Sequence, residues 1–324
     1  MKSLVRAVSI ALSTLLLSSA AAAQANGYPL KPVQIIVPYA AGGPLDLSTR
    51  LIASELETAL GQPFIVQNQP GASGNLGGAN VAKAVPDGYT LLLTADTSLV
   101  VNPTLYGSRM TYDPHKQLRA VVATVSYGQM LAVHPSVGTH DLKSFLQYAK
   151  KHPVNYASAG NGSPGHLTME QFNHFTQVSM THIPYKGTSQ AVTDLLGGQV
   201  QAAFMITPGV IQYVSQNRLI PLAVSSAERS KLAPTVPTMA ELGFPEATSE
   251  YAFYLMAPAG TPDAIVDLLN EKVEVALKSP ALKAFMEKAG MRPLGESPQM
   301  TEKRLDAARI QMTQLIQERG IQAN

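Results

Sequence analysis

The 324-residue sequence contains no cysteine and no tryptophan. Without cysteine, the chain has no disulfide, no thiol nucleophile and no lipid attachment at a lipobox cysteine. An excess of charge is lacking as well, since 24 basic residues stand against 22 acidic ones and no run of like charges occurs. The sequence therefore lacks the electrostatic features by which proteins bind nucleic acids or anionic membranes.

Apolar runs long enough to span a bilayer, which takes about 20 residues, are also missing. Lys2 and Arg6 precede a short apolar run at 7–17, and an Ala-Gln-Ala site follows at 23–25. This order is typical of a secretory signal peptide, residues 1–25, cut after Ala25 or alternatively after Ala23. An uncleaved membrane anchor is the alternative. Because the leader carries two of the basic residues, 22 basic and 22 acidic residues remain, and we expect a neutral protein in the periplasm.

Familiar catalytic and cofactor motifs are absent from the sequence. It contains no G-x-S-x-G and no H-E-x-x-H, and its seven histidines lack the spacing of metal ligands. The glycine-rich loops lack the Lys-Ser/Thr of a P-loop, and no G-x-G-x-x-G opens a helix after the first strand. We therefore expect no metal, no cofactor and no enzyme. A hydrolase assembled from dispersed residues, with Ser163 as nucleophile, stays open as an alternative.

Short apolar strands alternate with amphipathic helices along the chain, which predicts an α/β fold. About 300 mature residues exceed the usual size of one domain. Two sets of strands, loops and helices joined by two crossing segments predict a clamshell. Its first lobe comprises residues 26–125 plus 253–324, and its second lobe residues 126–252.

The best candidate for a site in the first lobe is the small-residue loop that follows the strand 33–37. The loop contains Gly42 and Gly43, and the helix expected at 45–60 begins directly after it. A helix N-terminus directs unpaired N–H groups and a positive dipole end at an anion, so the loop is predicted to hold a carboxylate. A plain turn between strand and helix, without a ligand, is the alternative. Asp46 in the first turn is expected to cap or orient the loop, because it would repel an anion.

Comparable loops and hydroxyl groups occur further along the chain. Ser158–Ser163 is rich in small and hydroxylic residues, and a helix expected at 166–176 follows it. Thr97 and Ser98 lie at a strand end, where they either bind ligand or cap the strand. His166 is a ligand contact or a structural side chain. Lys186 either pairs with an acid or is solvated.

The ordered motifs resemble those of the periplasmic solute-binding proteins of tripartite tricarboxylate transporters, the Bug or TctC-like family. The similarity covers essentially the whole mature chain. Its motifs are Val37–Asp46 with Arg50, Asn68–Gly74, Pro86–Thr90, Tyr156–Ser163, His166-Leu167, Pro184–Gly187, Asp194–Val200 and Ala257–Pro262.

This resemblance implies a two-lobe periplasmic binding protein, a Venus flytrap of type II-like topology, with a mixed sheet flanked by helices in each lobe. It implies a small organic acid as ligand, held by the loops matching 39–46 and 158–163 through backbone N–H groups and waters, and membrane transporter subunits as partners. We expect a monomer. The expected ligand-binding residues are Tyr39, Ala40, Ala41, Gly42, Gly43, Asp46, Thr97, Ser98, Ser158, Gly160, Asn161, Gly162, Ser163, His166 and Thr188.

Two departures from the family pattern stand out. Ala40 and Ala41 replace frequent prolines and leave the backbone anion site possible. The segment 67–70 reads Gln-Asn-Gln-Pro, where the family often carries an acid and a base, which puts local salt bridges in doubt. A periplasmic sensor that passes ligand occupancy to a signalling receptor is the alternative function.

Overall fold

The apolar strand runs assemble into two separate sheets in the computed structural model, which describes residues 27–323. The predicted signal peptide lies outside the described residues. Within 27–323, no helix has both the length and the apolar character needed to cross a membrane. The prediction of a two-lobe α/β architecture with mixed sheets is confirmed.

The first sheet has six strands in the order β11-β4-β10-β3-β1-β2. Strands β1, β2 and β3 are parallel, whereas β10 runs antiparallel to β3 and β4. Successive side chains of β1 enter apolar clusters on opposite faces, as Ile35 and Ile36 do. The strands are β1 Val33–Val37, β2 Phe64–Asn68, β3 Thr90–Ala95, β4 Leu118–Tyr127, β10 Tyr251–Pro258 and β11 Arg292–Pro293.

The second sheet has five strands in the order β7-β6-β8-β5-β9. Strand β6 is parallel to both β7 and β8, and β5 is antiparallel to β8 and β9. Apolar clusters again cover both faces. The strands are β5 Gln129–Val133, β6 Asn155–Ser158, β7 Thr181–Pro184, β8 Ala202–Ile206 and β9 Ile220–Val224.

Helices connect most of these strands. The α-helices are α1 Pro44–Leu60, α2 Asn75–Ala82, α3 Asn102–Tyr106, α4 Pro114–Gln117, α5 Leu142–Ala149, α6 Pro164–Thr176, α7 Thr188–Leu196, α8 Thr207–Ser215, α9 Asp263–Ala276, α10 Pro280–Ala289 and α11 Pro298–Glu318. A short π-helix, Thr97–Val101, precedes α3. Helix α8 was not expected from the sequence, because it begins directly where β8 ends.

Burial and hydrogen bonds define the starts of three helices. Leu47 is 43% exposed and does not share the buried face of α1, where Ser48 and Thr49 lie instead because their hydroxyl groups donate to the Leu45 carbonyl. Thr188 is the first residue of α7 and does not cap it; Gly187 occupies the cap position. Thr261 donates its hydroxyl to Pro258 O at 2.8 Å, so α9 begins at Asp263 without a side-chain cap.

The chain crosses between the sheets at Gly128, between β4 and β5, and again between β9 and β10. Ser225, which is fully buried, joins the two crossings. Its hydroxyl accepts from Gln129 N at 2.9 Å and donates to Ser249 O at 2.7 Å. Its own N–H donates to Gln129 O, and its carbonyl accepts from Ser249 N. The crossings therefore form one hydrogen-bonded unit.

Two contacts outside the crossings join helices of one half to the other. Tyr251 of β10 donates its hydroxyl to Pro164 O, at the beginning of α6, over 3.0 Å. Arg319, which follows α11, pairs through Nε with Glu170 Oε2 of α6 at 2.7 Å. Helix α6 is therefore held to the first sheet near both its start and its middle.

Gly128 provides a test of the packing at the first crossing. A Cβ added there would lie 2.6 Å from Ser226 Cβ and 2.7 Å from Ser226 N. Because backbone must shift to relieve this overlap, Gly128→Ala should lower the free energy of unfolding by about 1–3 kcal/mol, measured by denaturant or thermal unfolding.

Gly209→Ala in α8 is the matched control, since its added Cβ would meet only Ile206 Cγ2 at 3.6 Å. That variant should be neutral or more stable by up to about 1 kcal/mol. Equal stability of the two variants would contradict a tightly packed crossing.

Candidate functional site

A cavity of about 350 Å³ lies between the two sheets. The first sheet contributes Tyr39, after β1, Ala95 at the end of β3, and Phe253. The second sheet contributes Gln129 and the end of β8. In open α/β sheets, ligands bind beyond the carboxyl ends of the strands, so this cavity is the candidate site.

The loop between β1 and α1 places a helix N-terminus on the cavity. Gly42 has a φ of +86°, a left-handed conformation that favours glycine. Gly43 is extended at the cap position, and Pro44 is the first helical residue. The first main-chain bond of α1 runs from Leu47 N to Gly43 O, so the N–H groups of Leu45 and Asp46 point out of the helix end.

Asp46 holds this loop in place. Its Oδ2 accepts from Gly42 N at 2.9 Å and from Arg50 Nε at 3.1 Å. Its Oδ1 accepts from Asn68 Nδ2 at 2.9 Å and lies 3.0 Å from Arg50 Nη2. Burial alone would raise the pKa of Asp46, but the bonds from Arg50, Gly42 and Asn68 lower it. The carboxylate is thus ionised, and Arg50 balances its charge.

Asn68 resolves the doubt raised by the unusual segment 67–70. Besides Asp46, it binds the Tyr39 carbonyl through Nδ2 at 3.1 Å and Arg50 Nη2 through Oδ1 at 2.9 Å. A neutral amide therefore links the loop to the end of β2.

The loop between β6 and α6 repeats this geometry in the second sheet. Gly162 has a φ of +72°, Ser163 is extended at the cap position, and Pro164 is the first helical residue. Gly162 N donates to His166 Nδ1 at 3.1 Å, the bond that corresponds to Gly42 N with Asp46. The two loops share one backbone arrangement and differ in the charge of the residue that closes it.

His166 closes the second loop as a neutral base. Its ring stacks on that of His182 with centroids 3.8 Å apart. Burial lowers the pKa of His166 to about 4, and burial followed by the neighbouring His166 ring lowers the pKa of His182 to about 4. Both rings are therefore neutral near pH 7, and His166 Nδ1 accepts a hydrogen bond. This supports the structural interpretation of His166.

Ser163 lies in the cavity lining and has an unpartnered hydroxyl group. Its Oγ is buried and has no hydrogen-bond partner among the described residues. The N–H groups of Gly165 and His166 precede the first intrahelical bond, from Leu167 N to Ser163 O. When the side-chain amide of Gln129 is oriented so that both its oxygen and its nitrogen form hydrogen bonds, Oε1 accepts from Gly165 N at 3.3 Å. Ser163 Oγ is thus a hydrogen-bond donor without an acceptor among the described residues.

No serine in this region has the geometry of a hydrolytic nucleophile within residues 27–323. Ser163 Oγ has no base beside it, since His166 Nδ1 is bonded to Gly162 N. Ser158 Oγ lies 2.6 Å from His182 Nε2, but Ser158 is fully buried. The arrangement favours binding over nucleophilic catalysis.

The predicted site residues divide into two groups. Those that line the cavity are Tyr39, Ala40, Gly43, Asp46, Thr97, Ser163 and Thr188. Those that lie outside its lining are Ala41, Gly42, Ser98, Ser158, Gly160, Asn161, Gly162 and His166.

The hydrogen bonds explain much of this division. Ser98 Oγ donates to Ala95 O and contacts Thr94 Oγ1, which agrees with a strand-end cap. Gly160 N donates to Ser158 Oγ, and Ser163 N donates to Gly160 O. These groups hold the loops and leave the helix N–H groups behind them to face the cavity.

Pro44, Leu45 and Ala159 belong to the two predicted loops, but sequence reasoning missed the rest of the lining, most of which is apolar. The missed residues are Ala95, Tyr127, Gln129, Pro164, Gly165, Phe204, Met205, Ile206, Phe253 and Met291. Tyr127 and Ile206 end strands, which was an available signal. Phe253 and Met291 come from β10 and from the residue before β11, and neither stands beside a recognisable loop motif.

Residues 48–321 match the sequence profile described as the tripartite tricarboxylate transporter family receptor. The chain belongs to this family. The resemblance inferred from the motifs is confirmed, and so is the expectation of a binding receptor in place of an enzyme.

Individual relatives agree with this assignment. Protein BugT of Bordetella pertussis is 38% identical over 288 residues, which are 87% of each chain. The solved structure of Rpa4515 from R. palustris with adipate is 32% identical, with a TM-score of 0.78, and covers 91% of this chain and 99% of that one. MatC from Rhodopseudomonas palustris with bound malate is 28% identical, with a TM-score of 0.73, over 89% of this chain and 100% of that one.

One buried carboxyl lies directly behind the cavity wall. Asp96, between β3 and Thr97, is 5% exposed; its Oδ2 accepts from Ala252 N at 3.1 Å, and its Oδ1 has no partner among the described residues. Burial raises the pKa of Asp96 to about 7. A folded-state pKa above the unfolded value means that the folded state binds more protons, so this group makes stability fall as pH rises toward 7.

Asp96→Asn should therefore stabilise the protein at pH 8 by about 1–3 kcal/mol, since one pKa unit corresponds to about 1.4 kcal/mol. The gain should vanish near pH 4, where Asp96 is protonated. Unfolding curves of the variant and the wild type at both pH values measure this difference in stability. His166 and His182 change stability with pH in the opposite direction, but they are present in both proteins and their effect cancels. Asp46→Asn is the control of opposite sign, because the pKa of Asp46 is lowered. Identical shifts in both variants would contradict this assignment.

Proposed function

We propose that this protein is a periplasmic receptor that captures a small carboxylate between its lobes and delivers it to the membrane subunits of a tripartite tricarboxylate-type transporter. The observation that carries the proposal is the pair of helix N-termini, α1 and α6, that border one cavity. Two such ends supply N–H groups and dipoles that favour an anion. The adipate and malate held by two relatives support a carboxylate.

In this proposal, the anion is held by the amides in the first turns of the two helices and by Ser163 Oγ. Thr97 and Thr188, which line the same cavity, supply further directed hydrogen bonds. The charge of Asp46 is balanced by Arg50 at 3.0 Å, which reduces its repulsion of an anion near α1. The remaining predicted residues act by holding the loops.

We propose that the lobes close on the ligand by bending at the two crossings. The boundaries follow the strands: the first lobe extends to Tyr127 and resumes at Tyr251, and the second lobe lies between them. This moves the expected boundaries by two residues, because β4 and β10 pair as far as Tyr251 with Tyr127. A monomer suffices for this mechanism, since both sides of the cavity come from one chain.

The closed form would be the one recognised by the membrane subunits. The sensor alternative differs only in the partner, so co-purification with tagged membrane subunits, with and without ligand, separates the two. Ligand-dependent recovery of transporter subunits supports transport, and recovery of a signalling receptor alone would replace it.

Export provides a separate test. When the full chain is expressed in a Gram-negative host, N-terminal sequencing of the periplasmic fraction should give a chain that begins at Asn26, or at Gln24 if the competing site is used. Recovery of the uncleaved chain in the membrane fraction would contradict the signal-peptide assignment and support an anchor.

Binding should depend on an ionised carboxylate. A panel of acids, tested by calorimetry and thermal shift, should contain binders whose uncharged amides do not bind. Ser163→Ala should weaken the best binder about tenfold, because hydrogen bonds to charged groups contribute about 1.5–3 kcal/mol, of which water replaces part. Thr188→Ala should weaken it less.

Ser189→Ala is the matched control, because Ser189 is exposed and lies outside the cavity lining. It should bind like the wild type. If acids and amides bind equally, or if the purified protein turns over simple esters in a manner that Ser163→Ala abolishes, the receptor proposal fails.

A further inference from the structure

Away from the two helix ends, the cavity is apolar. Phe204, Met205 and Ile206 at the end of β8 form one wall. Phe253 and Met291 form part of the opposite wall, together with Tyr127, whose ring lies 5.5 Å from that of Phe253. The lining also contains hydrogen-bonding side chains, of which Asp46 and Ser163 lie at the starts of α1 and α6.

Positive side chains are absent from the cavity. Among the described residues that line it, none is lysine, arginine or histidine. The guanidinium of Arg50, which is part of α1, is paired with Asp46 and Asn68. The only charged side chain in the lining is Asp46 itself. An anion in this cavity is therefore balanced by helix ends and hydrogen-bond donors and not by a cation.

The two helix ends are also unequal. Helix α1 already has the Asp46 carboxylate in its first turn, within hydrogen-bond distance of Gly42 N. Helix α6 has neutral His166 at the corresponding position and the unpartnered, buried Ser163 Oγ at its cap. A ligand carboxylate therefore finds its complement at α6, where no protein carboxylate competes.

Resting on the proposed function, we propose that the ligand is a monocarboxylate with an apolar body, such as an aromatic or branched-chain acid. Its carboxylate lies at Ser163 and the first turn of α6, and its body lies between Phe204, Ile206, Phe253 and Met291. A second carboxylate on that body would be buried against these apolar side chains without a cation, and the remaining helix end, α1, already faces the Asp46 carboxylate, which makes a second charge unfavourable. Cavities of this volume hold small organic ligands, and their apolar walls select ligands of complementary shape.

Calorimetry with the wild-type protein tests this assignment. The first series is benzoate, phenylacetate, cyclohexanecarboxylate and 4-methylpentanoate, and the second is malate, adipate and citrate. At least one member of the first series should bind ten times or more tighter than every member of the second, with a negative heat-capacity change from apolar burial. Tighter binding of the second series overturns the inference and leaves the proposed function standing. If no acid of either series binds, both fail.

Two variants examine the basis of the preference. Thr188→Arg places a cation at an exposed edge of the cavity, and should improve adipate binding relative to phenylacetate about tenfold or more. Its control, Ser189→Arg, puts the same charge on the next residue, outside the lining, and should leave the ratio unchanged.

Ile206→Thr should weaken the apolar acids several-fold and lower their affinity relative to that of adipate. Ile211→Thr, at a partly buried position outside the lining, is its control. Thermal unfolding confirms that each variant is folded. Equal effects of Ile206→Thr and Ile211→Thr, or of the two arginine variants, would overturn the placement of the ligand.

Discussion

Both sides of the cavity depend on one backbone arrangement: a left-handed glycine, an extended cap residue and a proline that begins the helix. The glycine reverses the chain after the strand, and the proline needs no hydrogen-bond partner at the helix start. A side chain in the first turn, Asp46 or His166, then bonds back to the glycine N–H. Because this bond occupies the loop amide, the helix amides that follow are the donors left facing the cavity.

The same arrangement is used with different electrostatics in the two lobes. In the first, an ionised carboxylate closes the loop and brings its own counter-ion, Arg50. In the second, burial keeps His166 neutral, so the loop closes without charge. The two turns have nearly the same backbone, but one is closed by a carboxylate, Asp46, and the other by a neutral imidazole, His166. They therefore differ as anion sites.

Much of this could be predicted from the sequence, because periodicity and small-residue loops are local signals. The strands, the two glycine loops, the helices behind them and the family motifs fall where the patterns indicate. Which hydroxyl groups line the cavity could not be predicted. Ser98 and Ser158 lie beside strand ends as Thr97 does, but the hydroxyl of Ser98 bonds to Ala95 O and that of Ser158 contacts His182 Nε2. Nor could the apolar walls, since Phe253 and Met291 reach the cavity only through the return of the chain from the second lobe.

Ser225 has a mechanical consequence. A pair of unconnected crossings would let the lobes slide, twist and bend independently. Here one buried serine hydrogen-bonds to both segments, at Gln129 and at Ser249. Because Gln129, Ser225 and Ser249 all lie on the second-sheet side of the crossings, the two crossings leave that sheet as one unit, and a displacement of either one is transmitted to the other.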